Sequence, residues 1–227
     1  MTYILHLETS TKVCSVAVSC DGRLLDYQTE NAHDFVHSER LNGLIQDLLI
    51  RNDLNISSLD AVSISSGPGS YTGLRIGVST AKGLCYALNI PLIAIDSLSA
   101  LAHFASSQMK TSDALLLSMI DARRMEAYTA LYDSNMYALK PVSADIFDAE
   151  YLIELDTNQK IMIVGDAQQK CKVLWGQRKN LHFTDLEADA RGQVEHAYKK
   201  FLHQEFADLV YFEPQYLKDF QPGVKAK

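Results

Sequence analysis

The sequence predicts an α/β protein built from two similar halves in tandem, and three observations carry that prediction. Within the first 95 residues, short apolar or alternating runs and longer helical runs follow one another as β-β-β-α-β-α-β. A shorter series of the same kind recurs after residue 114. Between them, the run Ser66-Gly67-Pro68-Gly69-Ser70-Tyr71-Thr72-Gly73-Leu74-Arg75-Ile76-Gly77 leads from a strand straight into a long apolar helix. In α/β proteins such a junction brings backbone N–H groups and a helix N-terminus close to a ligand or a partner.

The elements follow in order. Residues 3–7 are a short apolar run suited to a buried strand, and residues 14–20 alternate with Val16 and Val18 on one face. Asp21-Gly22 supplies a hairpin turn because glycine tolerates positive φ, and residues 23–29 form the returning strand. Ser38 is a suitable N-cap for a helix in which Leu41, Leu44, Ile45, Leu48 and Leu49 recur at helical spacing. A strand over 61–65, a helix over 73–88 and a strand over 91–95 complete the first half. That order is the one found in a ribonuclease-H-like domain. In the second half, 115–120 and 127–132 read as paired strands, 137–142 as a third, and 161–164 as a fourth. Helices are expected near 149–155, 167–175 and 193–206. Two tandem ribonuclease-H-like domains make the actin/hexokinase/Hsp70 architecture, here with a shortened second domain. The expected division is 1–108 and 109–227, with Lys110-Thr111-Ser112-Asp113 as the surface break and 215–227 as a partly disordered tail.

Composition bounds the function. Of 227 residues, 47% are hydrophobic and 22% charged, as in an ordinary globular protein. A net charge of −7 argues against an autonomous nucleic-acid binder, which displays a basic excess, so any RNA contact is expected through a partner. Cys14, Cys20, Cys85 and Cys171 show no Cys-x-x-Cys spacing, which predicts free thiols in a reducing compartment and no zinc site. With no basic leader and no apolar run approaching the roughly 20 residues needed to span a bilayer, the expectation is a cytoplasmic protein without membrane contact.

The glycine-rich turn matches none of the common cradles. A phosphate loop would need Gly-Lys-Ser/Thr where Thr72 stands, and a dinucleotide fingerprint would need its third glycine there, which Gly73 misses by one. A nucleophile elbow would need glycines where Pro68 and Thr72 flank Ser70. Glu8, Thr9 and Ser10, with Thr11, end the first strand. In nucleotide-binding members of this architecture an acid and hydroxyls at this turn hold magnesium and phosphate. The competing reading is a turn in which short polar side chains satisfy free backbone groups. His33 and His37 stand four apart, which would place two imidazoles on one helical face, but Ser38 suggests that the helix begins after them. Asp121, Arg123, Arg124 and Glu126 read as a polar hairpin rim before they read as a catalytic cluster.

The two helices of the first half are more apolar than one sheet requires. The second carries Leu74, Ile76, Val78, Ala81, Leu84, Cys85, Ala87 and Leu88 nearly all round, with Gly77, Ser79 and Gly83 permitting close helix approach. A helix apolar on most sides needs a second surface to cover it, either the other domain or a partner.

Several segments together resemble the TsaB (YeaZ) family, bacterial proteins needed for threonylcarbamoyladenosine formation beside the tRNA anticodon. They are Leu-His-Leu-Glu-Thr-Ser-Thr at 5–11, His-Ser-Glu-Arg-Leu at 37–41, the block 67–88, Ile-Asp-Ala-Arg-Arg at 120–124 and Pro-Gln-Tyr-Leu at 214–217. The resemblance is concentrated in the first 130 residues. The catalytic relative, TsaD, places a His-x-Glu-x-His metal motif after the strand that follows the apolar helix; here the stretch is Asp96-Ser97-Leu98-Ser99-Ala100-Leu101. The double-glycine nucleotide loop of TsaD is replaced by Val164-Gly165-Asp166-Ala167, with an aspartate that repels phosphate. The resemblance therefore implies a non-catalytic partner that pairs with TsaD through its first two helices, with Leu41, Ile45, Leu48, Leu74, Val78 and Ala81 as interface candidates. It further implies a homodimer when TsaD is absent, TsaE as a third component, contact with tRNA only through the complex, and no cofactor or metal of its own. ATP or ADP would then belong to the TsaB–TsaD–TsaE assembly. Two other readings compete: an independent ATP-dependent kinase or carbamoyltransferase of the same fold, and a metallopeptidase, which only His33 and His37 could support.

Overall fold

In a computed structural model of the chain, residues 1–31, 37–109, 113–148, 150–151 and 159–218 are described. The first half forms β1 (Tyr3–Glu8), β2 (Val13–Cys20), β3 (Arg23–Asn31), α1 (His37–Arg51), β4 (Ala61–Ser65), α2 (Tyr71–Leu88) and β5 (Leu92–Ile95). These strands make one sheet in the order β3-β2-β1-β4-β5, antiparallel from β1 to β3 and parallel from β1 to β5. Asp21 and Gly22 turn the first hairpin at φ 48° and 75°, the left-handed region that a two-residue turn of this hand demands. Two further changes of element follow local chemistry. Ser70 caps α2 by accepting from Gly73 N, and Asn89, left-handed at φ 53°, ends it with its N–H on Cys85 O.

After α3 (Ser97–Gln108), the second half forms β6 (Leu115–Asp121), β7 (Glu126–Tyr132), β8 (Ala138–Ile146), β9 (Ile161–Val164), α4 (Gln168–Trp175), β10 (Leu181–Phe183) and α5 (Val194–Leu202). Its sheet runs β10-β9-β6-β7-β8, the same strand order as the first. The second sheet is thus complete among the described residues, and the shortening lies in its helices: α4 has 8 residues where α2 has 18.

The two halves do not separate at residue 108. α3 packs Leu98, Leu101, Ala102 and Ala105 against Leu116, Ile120 and Val164 of the second sheet. In exchange, α5 lays Ala197, Tyr198 and Phe201 against Ile4, Ile93 and Ile95 of the first. A single 3-10 turn, Ala190–Gln193, carries the chain back. The boundary between 1–108 and 109–227 is therefore crossed in both directions, because each sheet needs a helix to cover its second face.

Several expectations are corrected. α1 starts at His37, so Ser38 lies within its first turn; the last helix ends at Leu202, not Phe206; and α3 and β10 were not anticipated. Residues 215–218, expected to be part of a loose tail, pack on the first half through Gln215 and Tyr216. His33, the 110–112 break, most of the expected 149–155 helix and residues 219–227 lie outside the described residues.

Candidate functional site

β1, β4 and α2 converge where a phosphate would lie in a nucleotide-binding member of this architecture. Glu8, Thr9 and Ser10 are fully buried and Thr11 is 4% exposed. Their cover is the glycine face of α2. A Cβ on Gly69 would stand 2.3 Å from Ser10 O, one on Gly73 2.2 Å from Thr9 O, and one on Gly77 2.2 Å from Thr9 Oγ1. Contacts that short exist only with glycine, so the helix backbone itself sits in the turn. Ser70 N donates to Ser10 O at 2.6 Å, and His37 Nε2 donates to Thr11 O at 2.8 Å. His37 is therefore a buried clamp on the turn. It is neither part of a mobile loop nor paired with a described histidine.

The Glu8 carboxylate is consumed by the fold. One oxygen accepts Ser10 N at 2.7 Å and the other accepts the Ser65 hydroxyl. Burial raises its pKa, opposed by these same bonds to Ser10 and Ser65. Thr9 Oγ1 and Ser10 Oγ are buried without a hydrogen-bond partner, the one sign of a polar turn richer than its present use. Thr9 Oγ1 nevertheless points at the α2 backbone, with no space between. Glu8, Thr9 and Ser10 as folded do not fit a nucleotide phosphate, which corrects their place as nucleotide candidates.

Behind this turn runs a buried polar chain that the sequence reading missed. Gln193 Nε2 donates to Leu7 O (2.6 Å) and Ser65 Oγ (3.0 Å), while its Oε1 accepts the Ser63 hydroxyl (2.7 Å). Ser63 must then accept from His6 Nδ1–H (2.7 Å), leaving His6 Nε2 to accept from Ser19 (2.8 Å). Every group has one consistent role, and His6 is held neutral, its pKa pushed down by burial to about 3. The signal was present in the alternation: His6, Glu8, Ser19, Ser63 and Ser65 mark one polar face across three strands. A buried polar face requires polar cover, and Gln193 provides it.

The equivalent turn of the second half is open. Asp121, Arg123 and Arg124 are exposed, the two arginines left-handed at φ 68° and 50°. Asp121 pairs with Lys170, and Asp166 Oδ1 accepts from Asp121 N at 2.8 Å. Burial, then Asp121 and Glu187 nearby, lift the Asp166 carboxyl to about 6. Gly165 takes φ 108°, as Gly67 takes 105° in the first half, and a Cβ there would meet Met119 O at 2.0 Å. Asp121, Arg123, Arg124 and Glu126 form the expected hairpin rim.

In the stretch after β5, Asp96 caps α3 by accepting Ser99 N at 2.8 Å, and Leu98 and Leu101 are buried against the second sheet. Among the described residues no three His, Cys, Asp or Glu side chains come together in a way that could hold a metal ion. Cys14, Cys85 and Cys171 are buried free thiols with raised pKa.

The six interface candidates require the largest correction. Leu41, Ile45, Leu48, Leu74, Val78 and Ala81 are all 4% exposed or less, packed with Leu5, Val16 and Ile64 or on the turn after β4. The apolar excess of the two helices covers the first sheet. Beside charged Glu39, Arg40, Asp47 and Arg75, α1 shows Asn42, Gly43, Gln46 and Ile50 outward, and α2 shows Ser79, Gly83, Tyr86 and Ala87. Tyr86 is 82% exposed, and a Cβ on Gly43 or Gly83 would touch nothing within 4 Å.

Comparison with known proteins agrees with this geometry. The profile of the family described as "TsaD: tRNA N6-adenosine threonylcarbamoyltransferase" matches residues 33–226. The chain is 35% identical over 136 residues to the Escherichia coli "tRNA threonylcarbamoyladenosine biosynthesis protein TsaB", covering 58% of this chain and 55% of that protein. It is also 35% identical over 147 residues to the Bacillus subtilis protein of the same name, covering 63% and 60%. The matched region thus spans little more than half the length of these curated relatives. YeaZ from Pseudomonas aeruginosa superposes with a TM-score of 0.77 at 27% identity, covering 96% of this chain and all of that one. The chain belongs to the TsaD family, and within it to the TsaB/YeaZ group.

Proposed function

We propose that the chain is a non-catalytic scaffold that docks onto TsaD and is required for threonylcarbamoyl transfer to the adenosine next to the tRNA anticodon. The observation that carries this reading is the glycine face of α2 seated in the turn after β1, which occupies the place of a phosphate with protein backbone. The serine and leucine of 97–101, built into the start of α3, remove the metal chemistry of the catalytic relative from this chain. What remains outward is a pair of helices with Gly43 and Gly83 facing open space.

On this reading TsaD meets α1 and α2 at Gly43, Gln46, Ile50, Ser79, Gly83 and Tyr86, and the same face forms a homodimer when TsaD is absent. TsaE joins the assembly, ATP or ADP enters there and not in this chain alone, and tRNA is reached only through the complex. The cytoplasm, where tRNA is modified, is the compartment implied. The competing ATP-dependent enzyme needs Glu8 to Ser10 free for magnesium and phosphate, and they are shut in.

The test uses Gly83→Glu, placed where nothing stands within 4 Å of the new side chain's first atom. The expected result is a melting temperature no lower than that of the parent chain, with loss of co-elution with TsaD and of tRNA modification in a reconstituted assay. Intact complex and intact modification would refute the docking face. A charge at Ile45 or Val78 is unsuitable, because it would break the core.

A further inference from the structure

Beyond α5 the chain wraps the first half, and at Lys218, the last described residue, it meets the second. Ala207 N donates to Leu92 O at 2.8 Å, and Lys82 on α2 donates to the carbonyls of Val210 and Phe212 at 3.1 and 3.0 Å. Gln215 N then donates to Ser66 O at 2.7 Å, in the loop between β4 and α2. The approach is so close that a Cβ on Gly67 would lie 2.5 Å from Gln215 O. One residue on, the Tyr216 ring lies 4.8 Å from that of Tyr71, and its hydroxyl accepts from Arg75 Nε at 3.2 Å. The Arg75 guanidinium sits 4.0 Å over the Tyr71 ring. Two residues further, Lys218 pairs with Glu126, the first residue of β7.

We propose that residues 213–218 are a latch, fastening the Ser66–Gly67 turn of the first half to the 121–126 hairpin of the second and so holding the two halves in one relative orientation. The halves are otherwise joined through α3, α5 and the turn that precedes it, and through Thr29 to Asp189 and Asn31 to Glu187 at the edge of the first sheet. An attachment at the 121–126 hairpin adds a separate point of restraint to these. The latch suits this role because its two ends are different in kind. Tyr216 is held by ring contact and a cation over the neighbouring ring, which resist salt, whereas Lys218 is held by an ion pair at the surface, which does not. The latch is therefore releasable at the second half while anchored on the first. It belongs to the single chain and does not depend on any partner.

Hydrogen exchange by mass spectrometry on the full chain tests it. Among the described residues Tyr216 makes its ring and hydrogen-bond contacts with Tyr71 and Arg75, yet Tyr216→Ala is expected to speed exchange in peptides covering 120–127 roughly fivefold, the size of a lost aromatic contact. Lys218→Glu is expected to do the same, and the charge swap Lys218→Glu with Glu126→Lys to restore protection. Raising salt should mimic Lys218→Glu and leave the contacts of Tyr216 in place. All three positions are at the surface, so folding is retained, which a melting curve checks. Faster exchange confined to 213–218, with the hairpin unchanged in both single variants, would overturn the latch, as would failure of the swap to restore it.

Discussion

After β1 the chain turns through Glu8, Thr9, Ser10 and Thr11, which are closed off from solvent. After β6, the matching strand of the second sheet, it turns through Asp121, Arg123 and Arg124, which stand in water. The two sheets have one strand order, and the glycine that follows the parallel strand has nearly the same positive φ in each. The difference comes from the helix that follows. α2 offers Gly73 and Gly77 to the turn and sinks onto it, whereas α4 offers Lys170, which pairs with Asp121. A shared backbone thus gives a packed core in one place and a charged rim in the other, decided by whether two helix positions lack a side chain. In the first half the glycines have closed the site that the fold usually leaves open.

Four changes would break or sharpen this contrast, from the largest effect down. Gly77→Val drives a branched side chain into Thr9 Oγ1 and Ile64, and should cost about 3 kcal/mol by overpacking. In a thermal melt of a chain this size that is a fall of roughly 10 °C, while a bulkier residue at Gln169 on the open side should change little. Gln193→Leu removes the hub of the buried chain and leaves Ser63, Ser65 and the Leu7 carbonyl short of partners. Chemical denaturation should show a loss of about 1–3 kcal/mol.

The third change concerns pH. His6, His37, His103 and His196 all have folded pKa values below the ordinary one, His103 down to about 4, first through burial and then through the His196 ring 3.8 Å away. At these four histidines the unfolded chain binds more protons than the folded chain between about pH 4 and 6.5, so their contribution to stability falls as pH drops through that window. Glu8, Asp96 and Asp166, whose values are raised, act in the opposite sense. His103→Gln should flatten the acid limb of a melting-temperature profile, and an unchanged limb would count against the His103–His196 contact. The smallest effect is a gain. Gly83→Ala fills open space on a helix and should stabilise the free chain by about 0.5–1 kcal/mol; if the proposed docking face holds, it should also weaken binding to TsaD.

The sequence was legible where periodicity speaks. Strands β1 to β5 and helix α2 lie within a few residues of their expected positions, since alternation and turn chemistry are local signals. The exchange of α3 and α5 between the sheets was not legible, because nothing local says which sheet covers an apolar helix. The same ambiguity misplaced Leu41, Ile45, Leu48, Leu74, Val78 and Ala81. An apolar stripe reports that a face is covered, and not by what. Gly77 and Gly83 were read as permitting close helix approach; at Gly77 the approaching group is Thr9 of the same chain, and at Gly83 nothing stands within 4 Å. Gln193 was missed because its partners lie 128 and more residues away in the chain.

Titration of Mg-ATP into the isolated full chain, followed by calorimetry, tests the closed first turn most directly. A turn filled by the α2 backbone predicts no saturable heat up to millimolar nucleotide. Micromolar binding that Glu8→Gln abolishes would contradict it, and would return this chain to the enzymes of its fold.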